Sequence, residues 1–182
     1  MTGMMSRAVL LSFALFAAVG LARATTVVAQ ENPPPNPVTI PCAVDVSAQV
    51  LGMSPVGDGS QTLVLARVIF APGGSLGAHT HPGTIVATIE SGSFGFTHLG
   101  DGEMSVNRAA TAETEAVTEP LPHGTEVTLA PGDWFVETGM IHSAKNLSDG
   151  PTTVVLTGLI ETGQPLTICA EDGATPASAL HG

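Results

Sequence analysis

From Thr62 onward the apolar residues recur at every second position in short runs, and each run is closed by Gly, Pro, Asn or Asp. "TLVLARVIF" (Thr62 to Phe70) runs into "APGGSLG", "TIVATIE" (Thr84 to Glu90) into "SGS", and "FGFTHL" (Phe94 to Leu99) into "GDGE". Further on, "TEVTL" (Thr125 to Leu129) meets "APGD", and "PTTVVLTGLIE" (Pro151 to Glu161) meets "TGQP". A period of two sends successive side chains to opposite faces of a strand, so one face can be buried while the other meets water. Almost no helical period competes with this pattern. Many short strands with frequent turns predict an all-β chain folded as a single-domain antiparallel β-barrel or sandwich.

Residues 1–29 have a different character. A short polar start with Arg7 leads into "AVLLSFALFAAVGLA", and Ala22-Arg23-Ala24 and Val27-Val28-Ala29 offer small-residue cleavage sites. This is the layout of a signal peptide and predicts a secreted or periplasmic protein. The run is short of the ~20 apolar residues of a membrane span, so no membrane association is expected after its removal. Residues 30–38 are a Pro-rich linker, for which an extended, solvated backbone is expected. Residues 39–170 form the folded domain, and 171–182 read as a frayed tail. Within the domain, 107–124 ("NRAATAETEAVTEPLPHG") break the strand rhythm and predict a long surface loop with room for one helical turn.

Loss of Arg7 and Arg23 with the signal leaves Arg67, Arg108 and Lys145 to face sixteen acidic residues. Phosphate backbones require a clustered basic surface, so nucleic acid is not an expected partner. Cys42 and Cys169 are the only cysteines, one near each end of the domain. In an exported chain a disulfide between them is the leading expectation, with two buried thiols as the alternative.

Chemistry centres on "GAHTHPGTIVATIESG", Gly77 to Gly92. His79 and His81 lie two apart, so on a strand both imidazoles point the same way and can share a metal. A third donor must come from elsewhere, and "PGDWFVETGMIHSAKN" supplies His142, followed four residues later by Asn146. With these two segments the chain resembles the cupin family. Gly73, His79, His81 and Gly92 match its first motif, Gly139, His142 and Asn146 match the end of its second, and Pro131-Gly132-Asp133 matches the turn before it. The resemblance spans roughly Leu63 to Glu161 and implies a jelly-roll β-barrel with a metal inside, acting on a small molecule, and commonly a homodimer.

The pattern departs from the family in two places: the second motif lacks its usual proline, with Glu137 and Thr138 in that vicinity and a spacing one residue short, and the first motif lacks its glutamate. The glutamate ligand of the first motif should fall at position 85, which is Ile85. Glu90 is excluded as a substitute, because strand alternation sends it to the face opposite Ile85. A three-histidine site of His79, His81 and His142 is the simpler expectation, leaving open positions for water, substrate or dioxygen, and Glu137, just before the turn to His142, is a candidate fourth ligand. The expected cofactor is a divalent transition metal (iron, manganese, zinc, copper or nickel). Asn146 is a candidate support for a ligand or a turn; Arg67 is a candidate pocket residue if its side chain points inward, and pairs with surface acids, the leading reading, if it points out.

The remaining histidines have plainer readings: His98 at a strand end, His123 in an exposed loop, His181 in the tail. "NLS" at Asn146 is taken as a chance glycosylation motif. Trp134 and Phe135 are expected in the core or an interface. No Ser-His-Asp or Cys-His arrangement emerges. The leading functional expectation is an exported metal-binding barrel, oxygenase-like if it is an enzyme. The alternative is a small-molecule-binding or structural barrel that has lost its metal.

Overall fold

The structure, a computed structural model, describes Val38 and residues 40–170. The signal peptide, most of the linker, the tail and His181 lie outside the described residues. Within them the alternating runs form antiparallel strands, and no helix is present among these residues. The strands are β1 (Ala43–Val56), β2 (Gln61–Thr80), β3 (Gly83–Ser91), β4 (Phe94–His98), β5 (Met104–Arg108) and β6 (Val117–Leu121). They continue as β7 (Glu126–Leu129), β8 (Trp134–Thr138), β9 (His142–Asn146), β10 (Thr152–Glu161) and β11 (Ile168–Cys169).

Their order is β6-β5-β8-β3-β10-β2-β9-β4-β7, with β1 and β11 also paired to β2. The twenty-residue β2 makes this a barrel. Its first half, Gln61 to Phe70, pairs with β10, whereas Ser75, Leu76 and His79 pair with β9. The bend between the halves falls at Gly73-Gly74. Gly73 has a φ of 76°, and a Cβ on Gly74 would stand 2.6 Å from the Asp45 carbonyl oxygen. Only glycines allow the strand to turn there.

Alternation sets the interior. Ile85, Ala87 and Ile89 of β3 point inward beside Val154, Leu156 and Ile160 of β10, and Phe94 and Phe96 of β4 close the opposite wall. Burying each large aliphatic side chain contributes on the order of 2 kcal/mol. Asp133 holds the turn before β8. Its carboxylate accepts the amides of Ala109 and Ala130 and the Arg108 guanidinium, all within 3.0 Å. Cys42 and Cys169 form a disulfide across 127 residues.

Two expectations change. The predicted loop 107–124 is partly sheet: β5 runs to Arg108 and β6 pairs with it from Val117 to Leu121, so the stretch between them and the short turn after Leu121 are what remains irregular. The stretch between the strands is a bend tied by Thr111 and Thr114, not a helical turn. The β6 segment is exposed on both faces until Leu121, so it lacks the apolar alternation that marks a strand. The edge strand β1 also carried no clean period, because most of its residues remain partly or fully exposed.

Candidate metal centre

His79, near the end of β2, lies directly opposite His142, the first residue of β9, and His81 follows just beyond β2. All three are buried, and their ring centroids are 4.1 to 5.3 Å apart. One nitrogen from each lies within 4.8 Å of the others. The Phe96 ring stacks on His142 at 5.1 Å.

The outer nitrogens decide how these rings are protonated. His79 Nδ1 donates to the Gly77 carbonyl (2.7 Å), His81 Nδ1 to Leu166 (2.6 Å) and His142 Nδ1 to Met140 (3.0 Å). A carbonyl can only accept, so each Nδ1 carries a proton, and in the neutral ring Nε2 is a lone pair. Imidazoles that bind metals are oriented in this way.

Glu137 completes the group. It stands opposite Ile85 across the β3–β8 pair, so a carboxylate faces the barrel interior from the strand beside position 85. Its Oε2 lies 3.0 Å from His142 Nε2 and its Oε1 3.3 Å from His81 Nε2. Oε2 nevertheless makes no hydrogen bond of acceptable geometry. Buried acceptors facing acceptors at this range require a cation or a proton between them. A divalent transition metal fits this donor set of three imidazole nitrogens and one carboxylate.

Burial pushes the His79 pKa down to about 3, and neighbouring His142 and His81 add to the shift. Burial opposes charging of His81 too, but the Glu137 carboxylate outweighs it and the pKa rises. Glu137 is fully buried, which works against its charge, yet His142 and His81 hold it well below the usual carboxylate range. The carboxylate is ionised at neutral pH.

A cavity of about 280 Å³ opens on these four side chains. Its walls come from the barrel interior and from residues flanking the disulfide, Val38, Ile40 and Pro41 on one side and Pro165 to Thr167 on the other.

The other candidates lie elsewhere. Arg67 points outward and binds Glu90 through two hydrogen bonds of 2.8 and 2.7 Å, so it pairs with a surface acid and the pocket alternative falls away. Asn146 is buried away from the cavity and ties the turn into β10. Its amide donates to Phe70, Ala71 and Gly150 and accepts from Ser148 and Thr152. An amide so enclosed is not a glycosylation acceptor in the folded protein. Trp134 is exposed, whereas Phe135 is core.

His98 was underestimated. It is 1% exposed, lies opposite His142 on the neighbouring strand, and its Nε2 has no partner. The parity of Phe94, Phe96 and His98 on β4 was the available signal. His123 is an exposed residue that donates to the Leu99 carbonyl and faces the His98 ring at 5.7 Å.

No family model matches the chain, and no curated protein matches it. Solved structures do resemble it. An L-ribose isomerase from Cellulomonas parahominis, bound to L-psicose, is 15% identical with a TM-score of 0.50, covering 68% of each chain. A predicted oxalate decarboxylase from Thermotoga maritima is 19% identical (TM-score 0.47; 70% of this chain, 92% of that one). A Klebsiella pneumoniae protein with a double-stranded β-helix domain is 17% identical (TM-score 0.44; 77% and 90%). Likeness at these identities concerns architecture, not activity. With its bent antiparallel barrel and the histidines of both motifs turned into it, this chain is a protein of the cupin fold.

Proposed function

We propose that the barrel binds one divalent transition metal through Nε2 of His79, His81 and His142 with the carboxylate of Glu137, and presents it to a small molecule in the adjoining cavity. The observation that carries this reading is the convergence of Nε2 lone pairs on a buried carboxylate that has an unpartnered oxygen. Bound there, iron, manganese or copper supplies redox chemistry of the oxygenase type, and zinc or nickel a Lewis acid. The chain's own contribution is orientation and exclusion of water. The carbonyls of Gly77, Met140 and Leu166 fix the imidazoles, Phe96 holds the His142 ring, and the apolar barrel keeps the site dry.

The signal-like N-terminus and the disulfide support export to an oxidising compartment. The expected homodimer would use the outer sheet face, where Leu65, Val86 and Val136 are exposed. These lie in one register row, joined through Thr157.

Metal analysis of protein purified without an affinity tag tests the central claim. Near-stoichiometric metal in the native chain, lost in His79→Ala/His142→Ala, is the expected result. Folded native protein that neither contains nor takes up metal would overturn it, leaving a proton between Glu137 and the imidazoles.

A further inference from the structure

We infer that the ligand of this cavity is a neutral, largely hydrocarbon molecule bearing one phenolic or enolic hydroxyl, and not a small dicarboxylate or phosphate. The inference rests on the proposed metal for the hydroxyl, and on the cavity walls for the rest.

The walls are unusually plain. Apart from the three histidines and Glu137, Thr167 is the one lining residue with a polar side chain. Every other lining residue is aliphatic, aromatic or proline. The aromatic side lies close to the metal centre: Phe96 stacks on His142, and Phe135 packs on Phe96 with centroids 4.6 Å apart. The volume of about 280 Å³ is at the small end of ligand pockets, ~300 Å³ and upward.

Apart from the proposed metal, no cationic side chain lines the cavity to receive an anion. The three basic side chains after residue 29 are Arg67, Arg108 and Lys145, and each is engaged outside the cavity. Arg67 pairs with Glu90, Arg108 with Glu119 and Asp133, and Lys145 with Glu126. An entering dianion would be stripped of water in an apolar chamber that already contains a carboxylate, a penalty no wall residue offsets.

Charge counting narrows the class further. A divalent ion with three neutral imidazoles and one carboxylate leaves one positive charge. A ligand able to release one proton from a hydroxyl closes that count, while its hydrocarbon body gains by burial against the walls. A dianion such as oxalate would leave the site negative in a chain whose acids far outnumber its bases.

The experiment is calorimetric titration of metal-assayed full-length protein with 4-tert-butylphenol and with oxalate. The phenol is expected to bind at least about tenfold more tightly than oxalate. Ala87→Leu, which fills the cavity from β3, should weaken phenol binding by about tenfold or more at unchanged metal content. Val50→Phe, at a half-buried wall position, serves the same purpose if the first variant does not fold. Tighter binding of oxalate, or phenol binding unaffected by a folded filling variant, would overturn the inference. The same comparison in metal-free His79→Ala/His142→Ala separates the two claims. Phenol binding retained there and sensitive to the filling variants supports the apolar cavity whatever the fate of the metal. Loss of all preference for phenol over oxalate in that protein overturns the assignment of the walls.

Discussion

Replacing Glu137 by Gln tests the metal centre most directly, because the effect should have opposite signs with and without metal. In the metal-free protein at about pH 9, well above the ordinary imidazole range, the carboxylate faces the Nε2 lone pairs of His142 and His81 with no proton between them. The amide of Gln puts N–H at one of the two positions, while its carbonyl oxygen still faces the other nitrogen. One acceptor contact that becomes a hydrogen bond raises stability by about 1 kcal/mol and the melting temperature by roughly 4 °C. Below the imidazole range the sign reverses. The His81 pKa is raised in the folded state, so its pairing with Glu137 stabilises fully below the unfolded value and is lost as pH rises through the folded one. At about pH 6 the Gln variant should therefore be the less stable protein. With metal present it should be less stable at both pH values, and its metal affinity lower by about 10–100-fold. Thermal unfolding of chelator-stripped and reloaded protein at both pH values, with metal competition titrations, measures all of this. A metal-free variant that melts lower than the native chain at about pH 9 would refute the lone-pair reasoning and make Glu137 an ordinary hydrogen-bonded core residue.

Three further outcomes are expected. Breaking the disulfide as Cys42→Ser/Cys169→Ser frees a loop of 127 residues and should cost about 5 kcal/mol in unfolding titrations. Cys169 pairs with His79, and Leu166 accepts from His81, so the metal dissociation constant of that variant should also rise by about tenfold. Asn146→Ala should cost about 3 kcal/mol by stranding its buried partners, while metal content stays unchanged; metal loss in folded Asn146→Ala would tie this residue to the site. Val86→Lys should leave the barrel folded and convert a dimer to a monomer in light scattering, and an unaltered mass would remove that sheet face from the interface.

The alternation of "TIVATIE" and "TTVVLTGLIE" determined the fold class, because a period of two is compatible with a half-buried strand and with little else. Spacing also brought out His79 with His81, and the resemblance added His142. Irregular edges were not legible: β6 and much of β1 bury too little to print a period on the chain. The outward direction of Arg67 was equally hidden, since parity names two faces without saying which is inside until Ala66 and Val68 are seen buried.

Tertiary structure alone decided that a carboxylate stands beside the histidines. Ile85 and Glu137 are 52 residues apart in sequence, and nothing local links them. Only the antiparallel register of β3 and β8 sets them side by side, so that Glu137 faces the histidines from the strand beside Ile85. The tautomers followed the same logic. A sequence names histidines, but the carbonyls of Gly77, Met140 and Leu166 that hold their outer protons are backbone atoms, and the fold alone determines where those point.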